Sequence, residues 1–308
     1  MKKLTQEAYA KARAFIHEFA RPLEKVTFAH EFENGSVDAI FEALASFQNA
    51  DGGFGSAIEP DFRLPDSSVL ATTVGLQVLR EYNAGADHPL VQGAMRYLMS
   101  TYDVENEVWP IIPPTADSAP HAPWWGYSDD IADGWGGFLA NPRAEIVGYL
   151  HDYAELVPDA LRDRLTDAML AHIEHHADGI QMFDLHCYVR LLETKRLPPT
   201  VRTSLMDKLG PVVDRLVATD AAEWEKYVLA PLEIVDRPKS PFADQLADAV
   251  AENLDFAISR QAENGAWEPK WSWGDSFPEV WAQAKLDWSG VITVRMLKIL
   301  ARFGRLEA

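Results

Sequence analysis

The sequence lacks most of the features that mark secreted or membrane-embedded proteins. Its 308 residues include a single cysteine, Cys187, which excludes an internal disulfide and is typical of a reducing compartment. No apolar run approaches the ~18 residues that a membrane span requires. Residues 1–3 lead into a mixed polar helix pattern and not into an apolar signal segment. We therefore expect a cytoplasmic protein without a membrane span.

Positive charge is also scarce. Lysine and arginine together number 28 against 47 aspartates and glutamates, which gives a formal net charge of −19 at pH 7. Such a field repels nucleic acid and anionic lipid, and no basic stripe is present that could follow a phosphate backbone. A glycine-rich phosphate loop, a Gly-x-Ser-x-Gly elbow and a dinucleotide fingerprint are missing as well. The expected partner is a small molecule and not a nucleic acid.

Helical periodicity, by contrast, covers almost the whole chain. Segments 67–82 and 180–193 are apolar nearly all round, as buried helices are, whereas 159–176 and 199–217 have one polar face. An inner ring of buried helices within an outer amphipathic ring is an α/α toroid, so we predict an all-α single domain over residues 1–308. The predicted helices cover residues 5–20, 36–48, 67–82, 89–101, 143–155, 159–176, 180–193, 199–217, 221–235, 241–261 and 284–303.

One long segment interrupts this pattern. Residues 103–142 contain six prolines and four glycines, and proline removes a backbone donor and fixes φ, so no helix is expected there. Insertions of this length in compact domains are usually lids or binding loops. We therefore predict a long functional loop over residues 103–142.

Two stretches far apart in the chain repeat one pattern of Gln, a short polar spacer, Gly and an aromatic residue. The first is residues 48–55 and the second is residues 261–267, and each closes a helix-like run. A shift of 221 positions also aligns the helices that come next, placing Thr72 on Thr293. We expect the Gln amide to bind backbone at a helix end, the Gly to permit a tight turn, and the aromatic to pack between hairpins.

These motifs resemble the repeats of squalene and oxidosqualene cyclases and of protein prenyltransferase β subunits. Gln261 to Trp267 is similar to the cyclase pattern, and Gln48 to Gly55 to the prenyltransferase version, with Phe54 where cyclases use Trp. The similarity extends over residues 36–303. It implies an (α/α)₆-type toroid whose central aromatic cavity binds a hydrophobic, isoprenoid-type substrate.

The catalytic motifs of those families match less well. The Asp-x-Asp-Asp proton donor of class II cyclases is absent, while Asp129, Asp130 and Asp133 resemble the Asp-Asp-x-x-Asp motif with which class I synthases hold Mg²⁺ and diphosphate. A solvated or capping acidic turn is the alternative, since glycines come directly afterwards. Residues 184–188 resemble the zinc-binding motif of prenyltransferases, but no histidine occurs after His186, so no zinc site is expected.

Tryptophans and acids concentrate in two loops, which in a toroid would rim the cavity. Aromatic faces stabilise carbocations, and a buried acid whose pKa is raised could protonate an alkene. Packing of the loops by tryptophan is the structural alternative. The predicted catalytic residues are Asp129, Asp130, Asp133, Asp184, Glu268 and Asp287. The predicted substrate-binding residues are Trp124, Trp125, Trp135, Tyr188, Trp271, Trp273, Trp281 and Trp288.

Two further hypotheses fit the same residues. A carbohydrate-active (α/α)₆ enzyme, a glycosidase or lyase, would stack sugars on these tryptophans and use paired carboxylates. A ligand-binding toroid without catalysis would also explain the missing acid motif and the missing zinc histidine. No cofactor is expected, apart from Mg²⁺ if Asp129, Asp130 and Asp133 bind a diphosphate.

Overall fold

The computed structural model of the chain describes residues 1–128, 131 and 138–307. Across these ranges the regular structure is α-helical, with isolated β-bridges and no named strand. The prediction of an all-α fold is confirmed. No helix in the described part of the chain combines the length and apolarity needed to cross a bilayer.

Twelve α-helices lie within the described ranges, and most begin and end close to the predicted boundaries. They are α1 Gln6–Phe19, α2 Pro22–Phe32, α3 Val37–Ala45, α4 Val69–Glu81, α5 Pro89–Thr101, α6 Arg143–Asp152, α7 Asp159–His176, α8 Met182–Leu192, α9 Pro199–Leu216, α10 Pro231–Ile234, α11 Ala247–Ser259 and α12 Pro278–Arg302.

The first compact unit is discontinuous in sequence and consists of Met1–Leu44 and Val217–Ala308. In it α1, α2 and α12 pack against one another, and α10 packs against α11. Its two sequence segments are also joined near their ends, where Leu4 forms a parallel bridge with Leu306. Arg305 adds a hydrogen bond to the carbonyl of Lys2 at 2.8 Å.

The second unit is continuous and covers Ala45–Leu216. In it α4 packs against α5 and α6, α6 against α7 and α8, and α9 against α7 and α8. A buried carboxylate, Glu145 on α6, ties three of these helices together. It accepts hydrogen bonds from Gln77 on α4 and Arg190 on α8, both at 2.8 Å. Because every charge in this group has a partner, it is best explained as a structural network.

Three helix predictions need correction. The predicted helix 221–235 is wrong for most of its length, since only a 3₁₀ turn at Ala221–Glu223 and the short α10 form there. Trp224 lies buried in this segment and donates its indole N–H to the carbonyl of Ala218 at 2.6 Å, so burial of the ring takes the place of helix periodicity. In addition, α2 was not predicted, and α12 begins at Pro278 and not at residue 284.

The described part of the proline-rich segment contains no α-helix between residues 103 and 128, as its prolines predicted. Between residues 103 and 128 it forms only two 3₁₀ turns, Ala116–Ser118 and Pro123–Trp125. Its apolar residues, together with Phe62 and Leu64, form a hydrophobic cluster of the second unit. The predicted site residues Asp129, Asp130, Asp133 and Trp135 lie outside the described residues.

Candidate functional site

The first Gln-Gly motif forms a tight corner that is held by its glutamine. The Gln48 side-chain amide donates to the carbonyls of Gly52 and Leu90, both at 2.9 Å. Gly52 has φ +92°, and a Cβ there would overlap the backbone of Gly93. The amide of Phe54 donates to the hydroxyl of Thr72 on α4 at 3.0 Å. The predicted structural roles of Gln and Gly are thus confirmed at this corner.

The second motif repeats these bonds in the other unit. The Gln261 amide donates to the carbonyls of Gly265 at 2.8 Å and Ala8 at 2.9 Å. Gly265 has φ +91°, and the amide of Trp267 donates to the hydroxyl of Thr293 at 2.9 Å. Thr72 and Thr293, which the sequence alignment pairs, therefore accept the same hydrogen bond at the two corners.

A third corner, which the sequence analysis missed, comes after α5. Glu107 has a positive φ of +57° and lies two residues before Trp109. Gly265, with φ +91°, lies two residues before Trp267 in the same way. Trp109 donates its indole N–H to a helix carbonyl, that of Leu98, at 2.7 Å, just as Trp267 donates to that of Ala257. Neither Gln nor Gly marks this corner. Only the aromatic residue after a short polar turn could have revealed it.

Between the first corner and α4 the chain buries two acids that the sequence analysis also missed. Glu59 and Asp61 are 9% and 3% exposed. They flank Pro60 within the run from Ala57 to Leu64. Apart from these two acids and Arg63, that run is apolar. The turn is fixed by the Phe62 amide, which donates to the carbonyl of Glu59 at 3.1 Å. An acid pair inside an apolar run was the signal that could have identified it.

The environment of Glu59 favours the protonated acid. Burial, and secondly the negative charge of Asp61, raise the pKa of Glu59 well above its usual value. Hydrogen bonds from the Asp61 and Phe62 backbone and the nearby Trp125 side chain act in the opposite direction but are smaller influences. The Glu59 Oε2 atom is buried and has no hydrogen-bond partner among the described residues. An ionised carboxylate is costly in such a setting, so the surroundings of Glu59 shift it towards the neutral acid.

Aromatic and apolar side chains lie beside this acid pair. The Phe62 and Trp125 rings meet edge to face, with centroids 6.4 Å apart. Trp125 also packs against the hydrophobic cluster that contains Phe62, Ile111 and Ile131. The proline-rich segment is held to the acid turn by the Ala122 amide, which donates to the carbonyl of Asp61 at 2.8 Å. The arrangement is a buried carboxyl of raised pKa at the edge of an apolar, aromatic cluster.

The predicted acids that the structure describes occupy other settings. Asp184 accepts a hydrogen bond from the Gln181 amide at 2.9 Å and caps α8, and burial raises its pKa. Glu268 is exposed and forms an ion pair with Lys285 at 2.8 Å. Asp287 is buried on α12 and accepts a hydrogen bond from Gln283 at 2.8 Å. Each has a structural partner, which Glu59 Oε2 lacks in the described part of the chain.

The predicted aromatic residues fall into two groups, one in each unit. In the second unit Trp124 is exposed, Trp125 lies at the acid pair, and Tyr188 is buried on α8. In the first unit Trp271 meets Trp288 edge to face at 5.2 Å between centroids, and Trp273 lies 5.7 Å from Trp281. Among the predicted substrate-binding residues that the structure describes, Trp125 lies beside Glu59, and Tyr188 lies one helical turn from Asp184, whose pKa burial also raises.

No cluster of three His, Cys, Asp or Glu side chains with metal-binding geometry occurs in the described ranges. Cys187 is buried, and burial raises the pKa of its thiol well above the usual value. Its sulfur contacts the side-chain oxygen of Asn141 at 3.5 Å.

No protein-family model matches the chain, and no curated protein matches it either.

Proposed function

We propose that this chain is a terpenoid cyclase-like protein that binds a hydrophobic, isoprenoid-type substrate, with Glu59 as its proton donor. The observation that carries the proposal is the buried carboxyl of Glu59, whose pKa is raised and whose Oε2 has no partner among the described residues. A neutral acid in an apolar, aromatic setting suits protonation of an uncharged alkene better than hydrolysis of a polar substrate.

The chemistry proposed for Glu59 is general acid catalysis. The carboxyl O–H bond breaks, a C–H bond forms at one alkene carbon, and the other carbon becomes cationic. The ring faces of Trp125 and Phe62 stabilise such a cation through their quadrupoles. Asp61 acts as a positioning residue, because its charge helps to keep Glu59 protonated until the substrate is bound. Loss of a proton from the cyclised cation returns the carboxylate to its neutral form.

The α/α toroid is the architecture that belongs to this proposal. It is supported by a corner that recurs in both units. In each corner a glutamine amide donates to a glycine carbonyl, and the backbone amide of the aromatic residue donates to a threonine hydroxyl. The resemblance to cyclase and prenyltransferase repeats supports the same arrangement. The Mg²⁺-binding role of Asp129, Asp130 and Asp133 and the saccharide-binding alternative remain predictions that no contact in the described residues favours.

Turnover assays test the proposal directly. The wild-type protein is incubated with squalene, with farnesyl diphosphate and with a panel of oligosaccharides, and products are followed by mass spectrometry. We expect cyclised or isomerised hydrocarbon products and a loss of at least ~10²-fold in rate for Glu59→Gln, the usual size of a lost general acid. Glu105→Gln, an exposed acid of the same unit, is the matched control and keeps full activity. Processing of oligosaccharides alone, or full activity of Glu59→Gln, overturns the proposal.

A further inference from the structure

A second group in the continuous unit is not used by the proposed chemistry. Arg143, the first residue of α6, is only 4% exposed, yet it has no carboxylate within ion-pair distance in the described ranges. Arg305, which is buried to a similar degree, forms an ion pair with Asp255. A buried cation without an anion is costly, so the contrast between these two arginines requires an explanation.

The contacts of Arg143 leave part of its guanidinium unused. One terminal nitrogen, Nη1, donates to the carbonyl of Glu107 at 2.9 Å. The Nε atom is buried and has no hydrogen-bond partner among the residues that the structure describes. The carboxylate of Glu107 is not available to it, because it forms an ion pair with Arg164 at 3.0 Å. The guanidinium therefore retains a donor that faces no protein acceptor.

A second unused polar group lies near this arginine. The hydroxyl of Tyr102 is also buried without a hydrogen-bond partner in the described part of the chain, while its ring packs on Trp109 with centroids 4.5 Å apart. Burial lowers the pKa of Arg143, and the surrounding Tyr188, Tyr102 and Glu107 side chains act in the opposite direction, so Tyr102 lies within electrostatic reach of the guanidinium. The unused Nε–H of the cationic Arg143 and the unused hydroxyl of Tyr102 therefore lie in the same region of the second unit.

The neighbouring histidine does not add a second positive charge at neutral pH. His172 on α7 has its pKa lowered to about 4 by burial, by His176 and by the charge of Arg143, so it is neutral at pH 7. Burial lowers the pKa of Arg143 itself, but a guanidinium remains protonated at any physiological pH.

We infer that Arg143, assisted by the hydroxyl of Tyr102, binds an oxyanion group of a ligand, a phosphate or a carboxylate. Such a group supplies the missing counter-charge and accepts from both unused donors. Charge-assisted bonds from arginine to planar carboxylates and to phosphates are the strongest that this side chain makes. The site is separate from Glu59, and the inference does not depend on the proposed proton transfer.

Thermal unfolding and isothermal titration test this site with simple anions. Inorganic phosphate and acetate are compared at equal ionic strength with chloride as the reference, and binding to the folded state raises the Tm. We expect phosphate, acetate or both to raise the Tm of the wild-type protein above chloride, and whichever does so identifies the ligand group. Arg143→Met should weaken the affinity at least ~10-fold, and Tyr102→Phe should weaken it several-fold.

Matched variants keep the test decisive. Arg96→Met removes an exposed arginine from α5 of the same unit and should bind the anion as the wild type does. Arg143→Lys retains the charge and serves if Arg143→Met does not fold, with an expected loss of affinity because the guanidinium geometry is gone. The inference is overturned if neither phosphate nor acetate stabilises the wild-type protein more than chloride does. It is also overturned if the Arg143 and Tyr102 variants bind the anion as tightly as the wild type.

Discussion

The two Gln-Gly corners share their hydrogen bonds but differ in the loops that leave them. In both, a glutamine amide spans two carbonyls and the aromatic amide donates to a threonine hydroxyl. After Phe54 the chain buries Glu59 and Asp61 before α4, whereas after Trp267 it presents Glu268 in an exposed ion pair. The corner is thus a shared scaffold, and the loop after it carries the local chemistry.

Substitution of the corner glycines should have the largest effect. At Gly52 and Gly265 the backbone has φ near +90°, and an added Cβ would overlap the backbone of Gly93 and of Lys11, respectively. Gly52→Ala and Gly265→Ala should each lower the free energy of unfolding by about 3 kcal/mol or more, since strain and overlap add. Urea denaturation measures the loss. Gly179→Ala, where a Cβ meets no atom within 4 Å, is the control and should change little. A tolerated alanine at either corner would break the comparison at that site.

Removal of the glutamines should have a smaller and equal effect at the two corners. Gln48→Ala and Gln261→Ala each delete two hydrogen bonds to backbone carbonyls. At about 1 kcal/mol for each bond, the expected loss is about 2 kcal/mol in each unit. The same denaturation experiment checks it, with the exposed Gln92→Ala on α5 as the reference. Losses that differ greatly between the corners would show that one glutamine has a role that the other does not.

The smallest expected effect is a difference in the pH dependence of stability between Glu59 and Glu268, the acids that come after the two corners. Because the folded-state pKa of Glu59 is raised, the folded protein binds its proton more tightly than the unfolded chain does. Wild-type stability should therefore fall as the pH rises above about 4.5, until the pH passes the folded-state pKa. Glu59→Gln removes this dependence and should be more stable than the wild type at pH 7, with a gain that shrinks as the pH is lowered towards about 4.5.

Glu268→Gln is the matched control for that measurement. Its carboxylate is exposed and paired with Lys285, so its removal should change stability by less than about 1 kcal/mol at any pH. Tm values of both variants and the wild type between pH 5 and pH 8 test the pair. If Glu59→Gln follows the wild-type curve in parallel, Glu59 is ionised in the fold and its role as proton donor fails.

Helix periodicity predicted the all-α fold and most helix boundaries, because helices such as α4 and α8 bury a regular apolar pattern. It failed where other interactions determine the backbone. The segment around Trp224 is apolar enough for a helix, but its indole N–H is satisfied by a turn carbonyl. Helix α2 escaped prediction although its proline, Pro22, occupies a first-turn position that tolerates this residue.

The candidate site was less accessible from the sequence. The search for acids followed motifs of a known family and the positions of tryptophans, which led to Trp125 but not to Glu59. Two properties distinguish Glu59 from the other acids, its burial and the neighbouring Asp61, and both depend on tertiary packing of the proline-rich segment. Composition contains no such information, because acids are frequent throughout this chain, and the one sequence signal was the acid pair inside an otherwise apolar run.

The sequence order of the two units has a consequence for biosynthesis. During synthesis the continuous unit is complete at Leu216, before any of the second segment of the discontinuous unit has been made. On the ribosome α1 and α2 must therefore wait for α12, their packing partner, while the later-starting unit can already complete its own contacts. We expect a stalled nascent chain ending after α9 to protect residues 45–216 from protease before it protects α1.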